Sequence, residues 1–176
     1  FVDSGFTTIS GFANGQIHRK LSRLAFEEVG DNFLPFTWGQ HSFVYHVALR
    51  YDINLVFFGE LAEAEYGGDT KFNDRPNIPI ESWAKTYWKG TTVDDLVEYG
   101  LEHKDYFKKE DYNSSDLIFY RPPDSKIMEE KQIEVHWMSY YNNWVPQENY
   151  YYAAEQTGFK ANPVRSEGTY SKYASL

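Results

Sequence analysis

The run Ile53-Asn54-Leu55-Val56-Phe57-Phe58 constrains this chain more than any other six residues. It is apolar except at Asn54 and is bounded by Asp52 and Gly59. A strand with one wet face alternates apolar and polar residues, whereas consecutive apolar residues mark a strand buried on both faces, the habit of a parallel sheet covered by helices. A central parallel strand over 53–58 is therefore expected. The run is far too short to cross a bilayer.

The flanking pattern supplies the helices such a sheet needs. Asn14-Gly15 offers a cap before Ile17, Leu21, Leu24 and Ala25, which recur at helical spacing, and Phe6-Thr7-Thr8-Ile9 ahead of them reads as a short strand. After Pro35, the residues Val44, Val47, Ala48 and Tyr51 fall on one helical stripe. From Tyr66 to Gly90 the pattern loosens. Thr92-Val93-Asp94-Asp95 then forms a capping box before Leu96 and Val97, with Gly100 expected as the stop. Asp124 opens another helix, Ile133 to Ser139 alternates as a strand, and Pro146 and Gly158 bracket a last helix. The expected architecture is α/β, a partial Rossmann-like layered fold with a parallel sheet incomplete at its N-terminal side. It is organised as one domain, with sheet and helices over 1–68, a loop-rich insert over 69–145 and a polar C-terminal segment over 146–176.

Composition narrows the function. Net charge is -9, from 17 basic and 26 acidic residues, which repels a phosphate backbone and argues against nucleic-acid partners. Without cysteine there is neither a disulfide frame nor a thiolate metal site, and no zinc site is expected, since His41 and His46 lie five apart rather than four. A cytoplasmic location is the expectation. The chain opens on Phe1 rather than Met and stops soon after its most polar stretch, so it reads as an internal piece of a longer protein.

Three constellations carry candidate chemistry. Gly59-Glu60 follows the buried run directly and leads to Glu65 and Gly67-Gly68; carboxylates just beyond a strand's carboxyl end are placed to hold Mg²⁺, a ribose or a substrate hydroxyl. Gly39-Gln40 is expected at a helix start, where unpaired backbone N–H groups favour anions. The third spans Pro146 to Tyr173 and gathers Gln147, Glu148, Asn149, Arg165, Glu167, Thr169, Tyr170 and Lys172, a density of polar side chains suited to a polar, ring-shaped molecule. Arg165 and Lys172 suit a phosphate or carboxylate. The plain alternative for each is a solvated loop, helix or tail.

Pro146-Gln147-Glu148-Asn149-Tyr150-Tyr151-Tyr152, Glu167-Gly168-Thr169-Tyr170-Ser171-Lys172-Tyr173, Gly59-Glu60 with Ala64-Glu65-Tyr66-Gly67, and Pro35-Phe36 with Gly39-Gln40 together resemble the N-acetyl sugar amidotransferases of bacterial surface-polysaccharide biosynthesis. These belong to the PP-loop ATP-pyrophosphatase superfamily. The resemblance implies a ligase-type enzyme of LPS O-antigen or related pathways that uses ATP and Mg²⁺. It would convert the acetamido group of a sugar or nucleotide sugar to an acetamidino group, with ammonia from a glutaminase and its cyclase-like partner. Glu60 and Glu65 would then orient Mg²⁺ or the sugar in a cleft shared with the Arg165–Tyr173 segment, where Arg165, Thr169, Tyr170 and Lys172 bind the sugar or its phosphate.

One departure matters. The superfamily's Ser-Gly-Gly-x-Asp-Ser phosphate loop does not occur in this chain, nor do the family's N-terminal cysteines; both are expected upstream of Phe1, so this piece alone is expected to be inactive. Two other readings remain open: a non-catalytic carbohydrate-binding module, marked by exposed flat rings in a chain with 19% aromatics, and a domain that docks on an ammonia-producing partner.

Overall fold

A computed structural model describes residues 5–59, 75–77, 88–143 and 145–165. Helix α1 (Gly15–Val29) starts where the Asn14 side chain accepts the Gln16 N–H at 3.1 Å. It stops at Gly30, whose left-handed φ of 77° lets its N–H reach the Ala25 and Phe26 carbonyls. The stripe Ile17, Leu21, Leu24 and Ala25 is buried, as its spacing requires. Residues 6–9 are not a strand: they are irregular and Phe6 is exposed, with no neighbouring strand there to pair their backbone groups among the described residues.

Helix α2 (Leu34–Tyr51) begins with Pro35 in its first turn, where a missing N–H costs nothing. Its buried face is Leu34, Trp38, His41, Ser42, Tyr45 and Ala48. Of the expected stripe only Ala48 lies on that face; Val44 and Val47 are half-buried and Tyr51 is exposed. The aromatic stripe wins because Trp38 and Tyr45 remove far more area from water than two valines. The chain then turns at Asp52, itself left-handed with φ 55°, into strand β1 (Leu55–Phe58).

Among the described residues, four helical pieces lie between β1 and its partner: α3 (Val93–His103), a 3₁₀ turn (Lys109–Asp111), α4 (Ser114–Ile118) and α5 (Ser125–Glu130). Strand β2 (Glu134–Trp137) pairs with β1 in parallel, Val56 opposite Val135 and Phe58 opposite Trp137. A turn of helix α6 (Met138–Tyr141) and helix α7 (Pro146–Thr157), closed by the left-handed Gly158, follow. The result is mixed α/β with a parallel pair, as expected. The expectation of burial on both faces fails, however: Val56 and Phe58 are buried, while Leu55 and Phe57 stay 46% and 48% exposed. On the outer face a single helical turn, α6, reaches Phe57, whose ring meets Tyr141 edge-on at 5.7 Å.

One core joins both halves of the chain, from Ile17, Leu21 and Leu24 through Trp38, Tyr45, Val56 and Phe58 to Leu96, Val97, Phe107, Tyr120, Met128, Val135 and Trp137. Within 69–145, read from sequence as a loop-rich insert, residues 88–143 thus carry β2 and a large share of that core. The Thr92 box holds as expected: Thr92 N–H donates to Asp95 Oδ2 (2.8 Å) and Asp95 N–H to Thr92 Oγ1 (3.2 Å). Gly100 does not stop α3. It lies inside the helix, and a Cβ there would come within 2.7 Å of Leu24 Cδ1 and 3.1 Å of the Phe107 ring, so glycine lets α1 and α3 approach closely. The outer edge of this contact is ionic. Glu27 accepts from Arg23 (2.7 Å), Lys104 (3.0 Å) and Tyr106 (3.0 Å), with the Arg23 bond foremost in lowering its carboxyl to about 2.

Candidate functional site at the carboxyl end of the parallel pair

Because β1 and β2 run the same way, their carboxyl ends coincide, at Phe58 and Trp137. In open α/β sheets this end is where ligands bind, since the loops leaving it carry side chains that the packed sheet does not use. From β1 the chain leaves through Gly59, next to Glu60; from β2 it leaves through α6 toward the Gln147–Asn149 turn of α7. The first half of α2 stands beside this end. His41 meets Phe58 edge-on with centroids 5.3 Å apart, and Phe58 lies 5.5 Å from the Trp137 ring. Burial pushes His41 down to about 4, so it is neutral at neutral pH.

On the outer face of β2, Glu134 and His136 share a side of the strand, two residues apart. One His136 nitrogen, Nε2, lies 2.9 Å from Glu134 Oε2; the other, Nδ1, lies 2.7 Å from the Tyr141 hydroxyl. Tyr141 stacks on the imidazole at 10° with centroids 5.9 Å apart, and Phe57 meets the imidazole edge-on at 5.8 Å. Residues 75–77 flank the same strand: the Pro76 carbonyl accepts the Trp137 N–H at 2.9 Å and Asn77 bridges to His136. The sequence reading passed over these residues. The signal that finds them is the Glu-x-His alternation within an assigned strand, which puts a carboxylate and an imidazole on one face.

Inside the bend between α2 and α3 lies a cavity of about 220 Å³, walled by Trp38, Trp88, Val93, Tyr120 and Pro122, with Asp94 and Arg121 beside them. Arg121 Nε donates to both Asp94 oxygens, at 2.9 and 3.1 Å. The indole N–H groups of Trp38 and Trp88 have no acceptor among the described residues. Trp38 precedes His41 by one helical turn, so the cavity stands on the carboxyl-end side of β1. Apolar walls with spare donors suit a small group that carries a hydrogen-bond acceptor.

The expected site residues divide sharply. Gln147, Glu148 and Asn149 share the first turn of α7, with Glu148 favourably placed at a helix N-terminus; Gln147 and Glu148 are exposed. Arg165 is described and exposed. Gln40 is exposed too, but it is not at a helix start: α2 begins six residues earlier, so Gly39 and Gln40 lie beyond the turn whose N–H groups lack partners. Glu60, Glu65, Glu167, Thr169, Tyr170 and Lys172 lie outside the described residues, and with them the expected shared cleft. Among the described residues, no three His, Asp or Glu side chains gather as a metal site, and no helix is long and apolar enough to cross a membrane. No protein-family model matches the chain, and no curated protein matches it.

Proposed function

We propose that this chain is part of an ATP-dependent N-acetyl sugar amidotransferase. It turns the acetamido group of a sugar or nucleotide sugar into an acetamidino group with ammonia from a glutaminase partner, in cytoplasmic assembly of LPS O-antigen or a related polysaccharide. The observation that supports the reading is the shared carboxyl end of β1 and β2. Gly59, which precedes Glu60, leaves one strand there, and the segment leading to Gln147-Glu148-Asn149 leaves the other. The chemistry asks for groups at such a place, because an amide carbonyl is a poor electrophile and ammonia must lose a proton as it attacks.

The residues of this chain do not fit a triphosphate. It has no Ser-Gly-Gly-x-Asp-Ser run, and none of the described helix starts carries a glycine-rich phosphate loop. Its share of the work is the sugar and ammonia side: Glu60 and Glu65 orient the sugar or Mg²⁺, and Gln40, Gln147, Glu148, Asn149, Arg165, Glu167, Thr169, Tyr170 and Lys172 bind it. A second reading, a non-catalytic sugar-binding module, draws on the exposed Tyr151 and Tyr152; it is weakened by Trp38, Trp88 and Trp137, whose rings are buried rather than offered to a ligand.

The test is ATP consumption by the longer protein that the resemblance implies, given an acetamido sugar and ammonia. Glu60→Ala or Arg165→Ala is expected to lower the rate by about a hundredfold, the usual scale for removing one group that stabilises developing charge. Near-normal rates in both variants, or pyrophosphate release by the 176-residue chain alone, would overturn the reading.

A further inference from the structure

We propose that Glu134, His136 and Tyr141 form a proton relay whose working end is the Tyr141 phenol, a general acid–base group at the carboxyl end of the parallel pair. Three observations carry this. The contacts are short and in series, 2.9 Å from Glu134 Oε2 to His136 Nε2 and 2.7 Å from His136 Nδ1 to the Tyr141 hydroxyl. The imidazole is held in place, stacked on Tyr141, set edge-on to Phe57 and bridged through its backbone to Asn77, and its side chain is only 13% exposed. Tyr141 itself reaches solvent, half-exposed beside the residues that leave the sheet.

The direction of proton flow follows from the donor inventory. A carboxylate only accepts, so Glu134 fixes the imidazole proton on Nε2 and leaves the Nδ1 lone pair facing the phenol, whose O–H donates to it. When a nucleophile bound beside Tyr141 forms its new bond, its proton passes to the phenol oxygen as the phenol proton passes to Nδ1. The imidazolium that results faces Glu134, so the charge created is balanced where it appears. Proton count and charge close within the three side chains. Tyr141 is the residue that meets the substrate; His136 and Glu134 are positioning residues. The same order of carboxylate, imidazole and hydroxyl activates nucleophiles elsewhere because geometry, not sequence order, sets the roles. The substrate class is a small amine or hydroxyl compound; that it is ammonia rests on the amidotransferase reading, whereas the relay does not.

Tyr140 provides the control. It is the neighbouring residue, equally exposed at 50% against 51%, and its hydroxyl has no hydrogen-bond partner among the described residues. The 176-residue chain is treated with tetranitromethane at neutral pH and the modified peptides are quantified. Tyr141 is expected to react several-fold faster than Tyr140. Glu134→Gln keeps the shape but lets an amide N–H donate to Nε2, moving the imidazole proton to Nδ1; the preference for Tyr141 is then expected to vanish while the melting temperature holds. Glu134→Asp is expected to restore part of it. Nitrogen NMR of His136 is expected to show the Nε2–H form in the parent chain and the Nδ1–H form in Glu134→Gln. Equal reaction of Tyr140 and Tyr141, or an Nδ1–H form in the parent chain, overturns the relay and reduces it to a structural hydrogen-bond chain. Neither readout needs ATP, sugar or ammonia, so loss of the relay and loss of the amidotransferase reading are separate results.

Discussion

On the inner side of the parallel pair, Val56, Phe58, Val135 and Trp137 disappear into the core beneath α2, while on the outer side Leu55, Phe57, Glu134 and His136 present two apolar and two titratable groups to their surroundings. The same two strands thus carry one face that stability dictates and one that it does not. On the inner face each side chain has neighbours that account for it. The outer face spends a carboxylate, an imidazole and two large apolar groups where folding gains little, and that surplus directs attention to function.

The contrast breaks if the inner side proves tolerant, so the largest effect is expected there. Leu24→Ala removes a fully buried side chain that packs where α1 and α3 meet over Gly100. A loss of about 2–5 kcal/mol is expected, measured by urea unfolding, because close-packed neighbours cannot collapse into the gap. A loss under about 1 kcal/mol would mean that the α1–α3 contact is loose.

His41 sharpens the comparison through pH. Its folded value of about 4 lies below the ordinary 6.5, so the unfolded chain binds the proton first as pH falls. The stability it contributes is complete above about pH 6.5 and is lost on the way down to about 4, on the order of 3 kcal/mol. Stability curves at stepped pH check this, and His41→Leu should flatten the curve across that window. The smallest effect belongs to the outer face: Leu55→Thr, on a half-exposed strand position, should change stability by about 0.5 kcal/mol or less in the same urea measurement.

These two faces also explain what the sequence could and could not convey. Periodicity exposed α1, because Ile17, Leu21, Leu24 and Ala25 have no other use at that spacing; capping chemistry exposed the starts of α3 and α5, and Pro146 that of α7. The run at 53–58 revealed a parallel strand but not its wet face, since Leu55 and Phe57 look the same in sequence whether a helix covers them or a ligand or partner does. Gly100 was read as a stop because glycine serves helix ends and close crossings alike, and only the position of Leu24 decides between them. Of the candidate site, Gln147, Glu148 and Asn149 were visible as a polar cluster. Glu134 and His136 were legible as an alternating pair but were passed over, and Tyr141 was not legible, because its contact with His136 spans a strand end and a helical turn that no single period describes.

The pairing of β1 with β2 bears finally on how the molecule comes to exist. At its opening end the Lys131 ammonium reaches Asp52 across 79 residues of chain. The ordering cost of so large a closure falls due before any strand bond repays it, and such long-range pairings are slow. The helices α1 and α2, adjacent in sequence, meet at far lower entropic cost. The helical scaffold is therefore expected to form early and the two carboxyl ends to come together late. The groups on which activity would depend acquire their geometry only in the closing steps, which makes their appearance a direct report that the whole chain has reached its native state.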